Sequence, residues 1–387
     1  MDERQYVGID VHQGKCVWCL VDPTGAVVRE GTVRTDLAGL DLMTREWRRL
    51  GAGELRVGLE ASTAGKAVAR HLRGGGWDVW MAHPRALKAI TTSETKTDRN
   101  DARALAHLVR LDYFPRAYLP SEEVERLRDL VRMREGQVEK FRRTKQQLRA
   151  LLVGHHLNHE AAKYDDLFGV QALHWLKGVE LAEPIEQQRM ALLLEEGALY
   201  QRQVEVLTDE LAKVAVDQDS VRILQSVPGI DYVLALTILA EVGDVKRFPN
   251  RKKFAAYCGL VPKNRDSGEK VGVHAKLRHG SPRLKWAFSV AIQALLKTKR
   301  GRFVVQFRRL EKRLGRPKAL MAVAHRLAFT VYGIWKTGRL YEEGSASLYE
   351  RKRAQLTQRA AKHTALPSRG ELLDKLIQRT AMRGRPT

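Results

Sequence analysis

Apolar and polar residues change their spacing twice along this chain. Over residues 5 to about 115, short apolar runs alternate with amphipathic stretches. The runs are YVGID, KCVWCLVD, AVVREGTV, LRVGLE and WDVWMA; helical spacing recurs near 37–50 and 65–73 and again in RNDARALAHLVRL, which predicts a helix over 98–111. Short runs rich in β-branched and aromatic residues read as strands, and a 3.6-residue period reads as helix. The DPTG between the second and third runs has the residues of a hairpin turn. Three strands in meander, then helix, strand, helix, strand, helix, is an α/β order with a mixed sheet.

From 120 to about 217 the texture is different. Val124, Leu127, Val131, Val138, Phe141, Leu148, Leu151, Leu152 and Val153 approximate a heptad, and Lys and Arg fill most of the intervening positions. Leu193, Tyr200, Val204, Leu207, Leu211 and Val214 repeat the pattern. Two long helices joined through GHHLNHEAAKYDDLFG predict a protruding coiled-coil hairpin that serves assembly. His155, His156 and His159 lack the spacing of a metal site and read as solvated loop. The third part opens on LQSVPGIDYVLALTILAEVGDVKRF, where Pro228-Gly229-Ile230 between two apolar helical stretches looks like a helix-hairpin-helix turn able to hold a phosphate. Residues 247–288 carry many cations and little periodicity before Arg283, and read as basic loops leading into a helix.

Charge changes the picture more than composition does. At 387 residues and 44% hydrophobic content the chain is an ordinary globular one with room for two or three domains. Its 68 Lys and Arg against 45 Asp and Glu give a formal charge of +23, which favours a polyanion: nucleic acid first, a membrane surface second. No apolar run approaches the roughly 20 residues of a membrane span, and MDERQY is unlike a signal peptide, so a soluble, cytoplasmic protein is expected. Three cysteines make no disulfide framework, and the C-x-x-C of Cys16 and Cys19 falls in a strand-like alternation.

Four acids stand out against that basic background. Asp10 ends the first strand, Glu60 ends the fourth, and Asp98 and Asp101 lie three apart on one face of the helix that follows the last strand. If the strands are neighbours, the four carboxylates converge at one sheet edge, where a divalent cation would offset their repulsion. Taken singly, each has a plainer reading: Asp10 as a turn former, Glu60 near a helix N-terminus, Asp98 as an N-cap. This order of strands and acids resembles the RNase H-like nucleases, particularly the Holliday-junction resolvase branch.

YVGIDVH, GLEAS, KTDRNDARALA, SVPGIDYVLALTILAEVGD, FAAYCGLVP, DSG and RLGRPKALMAVAHRLAFTVYGIWK together resemble the insertion sequence 110 family of transposases, bridge-RNA-guided recombinases, from about residue 5 to about 340. The resemblance implies a resolvase-like domain over 1–115, a coiled-coil arm over 116–218, and a mainly α transposase domain over 219–342; the Arg- and Lys-rich residues 343–387 extend beyond the matching region as a basic tail that either binds nucleic acid or is disordered. It implies a metal site of Asp10, Glu60, Asp98 and Asp101 for Mg2+ or Mn2+, and Ser267 as a nucleophile that forms a phosphoserine ester with DNA. Gly229, Lys252, Lys253, Lys263, Arg265, Lys276, Arg278 and Arg283 are the expected nucleic-acid contacts. The implied partners are donor and target DNA, a guide RNA, and further copies of the chain, as a dimer assembling to a tetramer in a prokaryotic nucleoid. One departure from the family pattern is Leu277-Arg278-His279-Gly280, which loses a hydroxyl of the usual Ser/Thr-Lys-x-Gly but keeps the charge. A resolvase-like endonuclease using the carboxylates without Ser267 is the alternative.

Overall fold

The structure, a computed structural model, describes residues 4–50, 54–88, 90, 97–261, 280–342, 346–362 and 370–374. The chain divides into two compact units, Met1–Leu119 and Pro120–Thr387.

The first unit is built on six strands: β1 (Gln5–Val11), β2 (Lys15–Val21), β3 (Val27–Arg34), β4 (Leu55–Glu60), β5 (Asp78–Ala82) and the short β6 (Arg116–Ala117). Their order is β3-β2-β1-β4-β5-β6. The β1-β2-β3 meander and the β5-β6 pair are antiparallel, whereas β1, β4 and β5 run parallel, so the sheet is mixed. The DPTG turn closes as expected, with the Asp22 carboxylate accepting from the amides of Thr24, Gly25 and Ala26. Helices α1 (Leu37–Arg49), α2 (Thr63–Gly74), α3 (Pro84–Lys88) and α4 (Asp98–Arg110) complete the unit.

Strand alternation sorts the side chains between two cores. Val7, Ile9, Trp18, Val57 and Leu59 face α1 and α2, packing with Met43, Trp47 and Leu72; Trp47 meets Trp18 and Trp77 edge-on at 5.9 and 5.5 Å. Tyr6, Val17, Cys19 and Trp80 face α4, packing with Ala102, Leu105, Ala106 and Val109. Each such fully buried large side chain contributes roughly 1.5–3 kcal/mol. The same alternation puts Cys16 in the first core and Cys19 in the second, so the C-x-x-C pair is split across the sheet and all three cysteines are free.

The second unit is helical: α5 (Glu122–Gly154), α6 (Asn158–Ala161), α7 (Val170–Lys177), α8 (Pro184–Val216), α9 (Asp219–Gln225), α10 (Tyr232–Val242), α11 (Arg251–Tyr257), α12 (Pro282–Lys297), α13 (Arg302–Leu314), α14 (Arg316–Thr337) and α15 (Ala346–Ala360). The two 33-residue helices α5 and α8 pair antiparallel, since Leu148 and Leu152 cluster with Met190 and Leu193 while Val131 clusters with Leu211 and Ala215. Three of the heptad positions, Val138, Val153 and Val214, are exposed, so the apolar seam is not continuous. In this unit one expectation from the pattern fails, and the disordered alternative for the tail fails over residues 346–360. Residues 251–257, taken as loop, form α11, which Asn250 caps and which buries Phe254 and Ala255. Part of the basic tail is a docked helix: Leu356 of α15 is fully buried in the same core as α9, α10, α12 and α14. No described helix is long and apolar enough to cross a membrane.

Candidate functional site

The acidic edge of the first unit follows from register. Ile9 of β1 pairs with Leu59 of β4, so Asp10, the penultimate residue of β1, and Glu60, the last of β4, lie side by side at the C-terminal ends of adjacent parallel strands. Ile9 and Leu59 belong to the α1–α2 core, and alternation therefore turns Asp10 and Glu60 to the α4 face. Helix α4 can lie close to that face because β1 and β4 present glycines to it: a Cβ at Gly8 would sit 2.1 Å from the Ala102 carbonyl oxygen, and one at Gly58 would sit 2.2 Å from a Val109 methyl. Thr97, not Asp98, is the N-cap, its hydroxyl accepting from the Asn100 amide, so Asp98 and Asp101 both lie in the first helical turn with their carboxylates unengaged in capping.

Asp10, Asp98 and His12 come together, offering ligand atoms within 4.8 Å of one another. His12 Nε2 lies 3.0 Å from Asp10 Oδ2 and 3.3 Å from Asp98 Oδ1, and Lys15 Nζ lies 2.7 Å from Asp98 Oδ2. Asp10 is the most enclosed, 19% exposed against 38% for Asp98 and 47% for His12, so desolvation falls mainly on it. Burial pushes the Asp10 carboxyl above the usual range, His12 pulls it back, and the neighbouring Asp101 and Asp98 charges push it up further. Lys15, followed by His12, holds Asp98 below the usual range. Asp101 is thus within electrostatic reach of Asp10. Glu60 shares the strand edge, and among the described residues it and Asp101 belong to no three-ligand group. The carboxylate oxygens of Asp10 and Asp98 are ligands that suit a hard divalent cation, and Lys15 supplies positive charge beside them from the chain itself.

The expected nucleic-acid contacts lie in the second unit. Lys252 and Lys253 are exposed on the first turn of α11. Arg283, in the first turn of α12, is held by Glu135 at 2.8 Å, an ion pair that the sequence did not suggest. Gly229 has φ +87°, and a Cβ there would lie 2.3 Å from the Ala291 carbonyl oxygen, so glycine is required for the turn to rest on α12. Ser267, Lys263, Arg265, Lys276 and Arg278 lie outside the described residues.

Sequence reasoning missed His12 and Lys15. His12 had a signal in YVGIDVH, because period two places it on the face of Asp10. Lys15 had none. It reaches Asp98 through the β1–β2 hairpin, where the His12 amide donates to the Lys15 carbonyl.

The first unit is thus a mixed sheet with carboxylates gathered at the ends of its parallel strands, and the chain as a whole carries a net charge of +23. Residues 7–157 match the DEDD transposase model of the IS110 group, and residues 221–305 match the model described as transposase IS116/IS110/IS902 family. The chain is 24% identical over 356 residues to the transposase for insertion sequence element IS1111A of Coxiella burnetii, covering 89% of this chain and 93% of that one. It is 30% identical over 210 residues to the putative transposase y4qE of Sinorhizobium fredii, covering 54% of this chain and 50% of that relative. It is also 24% identical over 260 residues to the transposase for IS1533 of Leptospira borgpetersenii, covering 65% of this chain and 73% of that one. The chain belongs to the IS110 family of transposases.

Proposed function

We propose that this chain is the transposase of a mobile insertion sequence, a metal-dependent DNA recombinase that cuts and rejoins strands through a serine. One observation supports it most: Asp10 and Asp98, 88 residues apart in sequence, meet at a sheet edge within reach of Asp101, in a member of a transposase family. In this reading the sheet is RNase H-like, the α5–α8 pair is a coiled-coil assembly arm, and Asp10, Glu60, Asp98 and Asp101 hold magnesium or manganese. When bound, the metal polarises a phosphate and eases the loss of a hydroxyl proton. Lys15 and His12 keep the carboxylates gathered in its absence.

Ser267 is the proposed nucleophile. Its Oγ forms a bond to phosphorus while the bond from phosphorus to the leaving strand's oxygen breaks; the serine proton passes to a base, and the leaving oxygen takes up a proton. Attack by another DNA hydroxyl on the phosphoserine ester restores the serine and rejoins the strand. Lys252, Lys253, Lys263, Arg265, Lys276, Arg278, Arg283 and the Gly229 turn grip nucleic-acid backbones. The partners are donor and target DNA, an element-encoded bridge RNA that reads sequence by base pairing, and further copies of the chain as a dimer assembling to a tetramer. Guidance by RNA rests on the family alone.

The test is incubation with magnesium, the flanking noncoding RNA, and donor and target DNA. Recombined product and a covalent protein–DNA adduct are expected; Asp10→Ala and Asp101→Ala should abolish both, and so should Ser267→Ala. Cleavage that persists in Ser267→Ala with no adduct would instead make the chain a resolvase-like endonuclease. Product formed by Asp10→Ala would remove the metal-site reading.

A further inference from the structure

The turn joining α9 to α10 exposes its carbonyl oxygens on one side, and a single side chain collects them. Lys352, from α15, places its Nζ 2.8 Å from the Gln225 carbonyl oxygen, 2.9 Å from that of Val227 and 2.8 Å from that of Ile230. An ammonium has three N–H donors, so three carbonyls use them all. Backbone carbonyls that converge on one centre form the type of oxygen cage that replaces the hydration shell of potassium. The surroundings hold the cage in shape. The Ser226 hydroxyl donates to Ile223 O at 2.6 Å and accepts the Tyr341 amide at 2.8 Å, Arg353 donates to Val216 O at 3.0 Å, and Gly229 rests on α12. The acid acting on Lys352 is Asp231, whose side chain is already committed to capping α10 through the Leu234 amide. Lys352 is therefore held by backbone oxygens and not by a salt bridge.

We propose that residues 225–230 form a monovalent-cation cradle and that Lys352 is its resident cation, a positioning residue that fixes the shape of the turn. The ligand class for the emptied cradle is a monovalent cation of ammonium size, potassium or ammonium itself. The inference stands without the recombinase reading, since it concerns the turn in the free protein. Burial pushes the Lys352 pKa down to about 8, which leaves the amine largely protonated at pH 7. Desolvation opposes the charge, and the three acceptors favour it. A packing role alone would have been met by an apolar side chain at no such penalty.

The test uses the full chain, with thermal unfolding followed in potassium, ammonium or choline chloride at equal ionic strength. Wild type should not distinguish the three salts. Lys352→Ala should unfold at a lower temperature in choline and regain roughly 2–4 °C in potassium or ammonium, the shift that site occupancy gives a unit of this size. Lys352→Met, which fills the space with an apolar chain, should be destabilised and gain nothing. If Lys352→Ala does not fold in choline, its refolding yield from urea is compared across the three salts, with potassium and ammonium expected to raise it. An identical salt response of wild type and Lys352→Ala, or a potassium gain in Lys352→Met equal to that in Lys352→Ala, would overturn the proposal.

Discussion

With Gly8 replaced by alanine, the added methyl would lie 2.1 Å from the Ala102 carbonyl oxygen and 2.3 Å from the Ala106 amide nitrogen, both backbone atoms that no rotamer change can move. Gly8→Ala is therefore expected to push α4 off the sheet, carrying Asp98 and Asp101 away from Asp10. Overpacking of this kind costs about 1–3 kcal/mol, read from urea unfolding, and a full loss of activity at half that destabilisation would show that the helix position matters more than the stability. Asp10 bears on stability with the opposite sign. Its carboxyl is raised in the folded chain, so the stability linked to its neutral form is present in acid and is lost as pH rises through the folded value. At pH 7, without divalent metal, Asp10→Asn should raise Tm while abolishing strand exchange, and added magnesium should stabilise wild type but not the variant. A lower Tm for Asp10→Asn would mean that the His12 contact outweighs the desolvation. The thiols give a simpler check: Cys16, Cys19 and Cys258 are buried, and burial pushes Cys19 up to about 12 and Cys258 higher still. None should react with a disulfide reagent until the chain unfolds.

Helix α15 shows what one-dimensional patterns leave out at the scale of an element. Most of the first unit was legible: β1, β2, β4 and β5 are short apolar runs buried on both faces, and the α4 face was readable from the spacing of Ala102, Leu105, Ala106 and Val109, whereas the short α3 and β6 left no pattern. In ASLYERKRAQLTQRA only Leu356 is buried, and a basic helix with one apolar anchor reads as a tail. Its docking depends on residues more than 100 positions away: Lys352 on the 225–230 turn, Arg353 on Val216, and Arg359 on Asp209, which is 4% exposed and ion-paired at 2.7 Å. Such pairings leave no periodic trace. Helix α11 escaped for a related reason, since seven residues with two buried side chains fall below any helical window. Of the four acids read from the sequence, Asp10 and Asp98 come together with His12, and the Lys15 contact left no trace in the sequence because it arrives through a hairpin. Leu356→Ala should cost about 2–5 kcal/mol by opening a cavity in the main core, a loss no solvated tail would incur. A loss below about 0.5 kcal/mol, the range of ordinary surface substitutions, would restore the tail reading.

For the whole molecule, the surplus of positive charge matters less than which cations remain unpaired. Many arginines of the first unit are spoken for, among them Arg29 with Glu46 and Arg56 with Asp78. In the second unit Arg309 and Arg313 of α13 and Arg326 of α14 line one cleft with Gln306 and Leu310, and the three arginines are exposed and without an ion pair among the described residues. The Gln306 side-chain oxygen in that cleft is buried without a hydrogen-bond partner. Guanidinium groups so placed meet backbone phosphates readily, and each phosphate they neutralise releases condensed counterions. DNA affinity should fall linearly on a plot of log affinity against log salt, and replacing Arg309, Arg313 and Arg326 together by alanine should reduce the slope by about 2.7, or about 0.9 for each phosphate no longer neutralised. Arg29→Ala removes the same charge from a group already paired with Glu46, so its slope should match wild type. If both variants lower the slope per charge removed by the same amount, the long-range field of the whole chain governs binding, and the cleft has no special part in it.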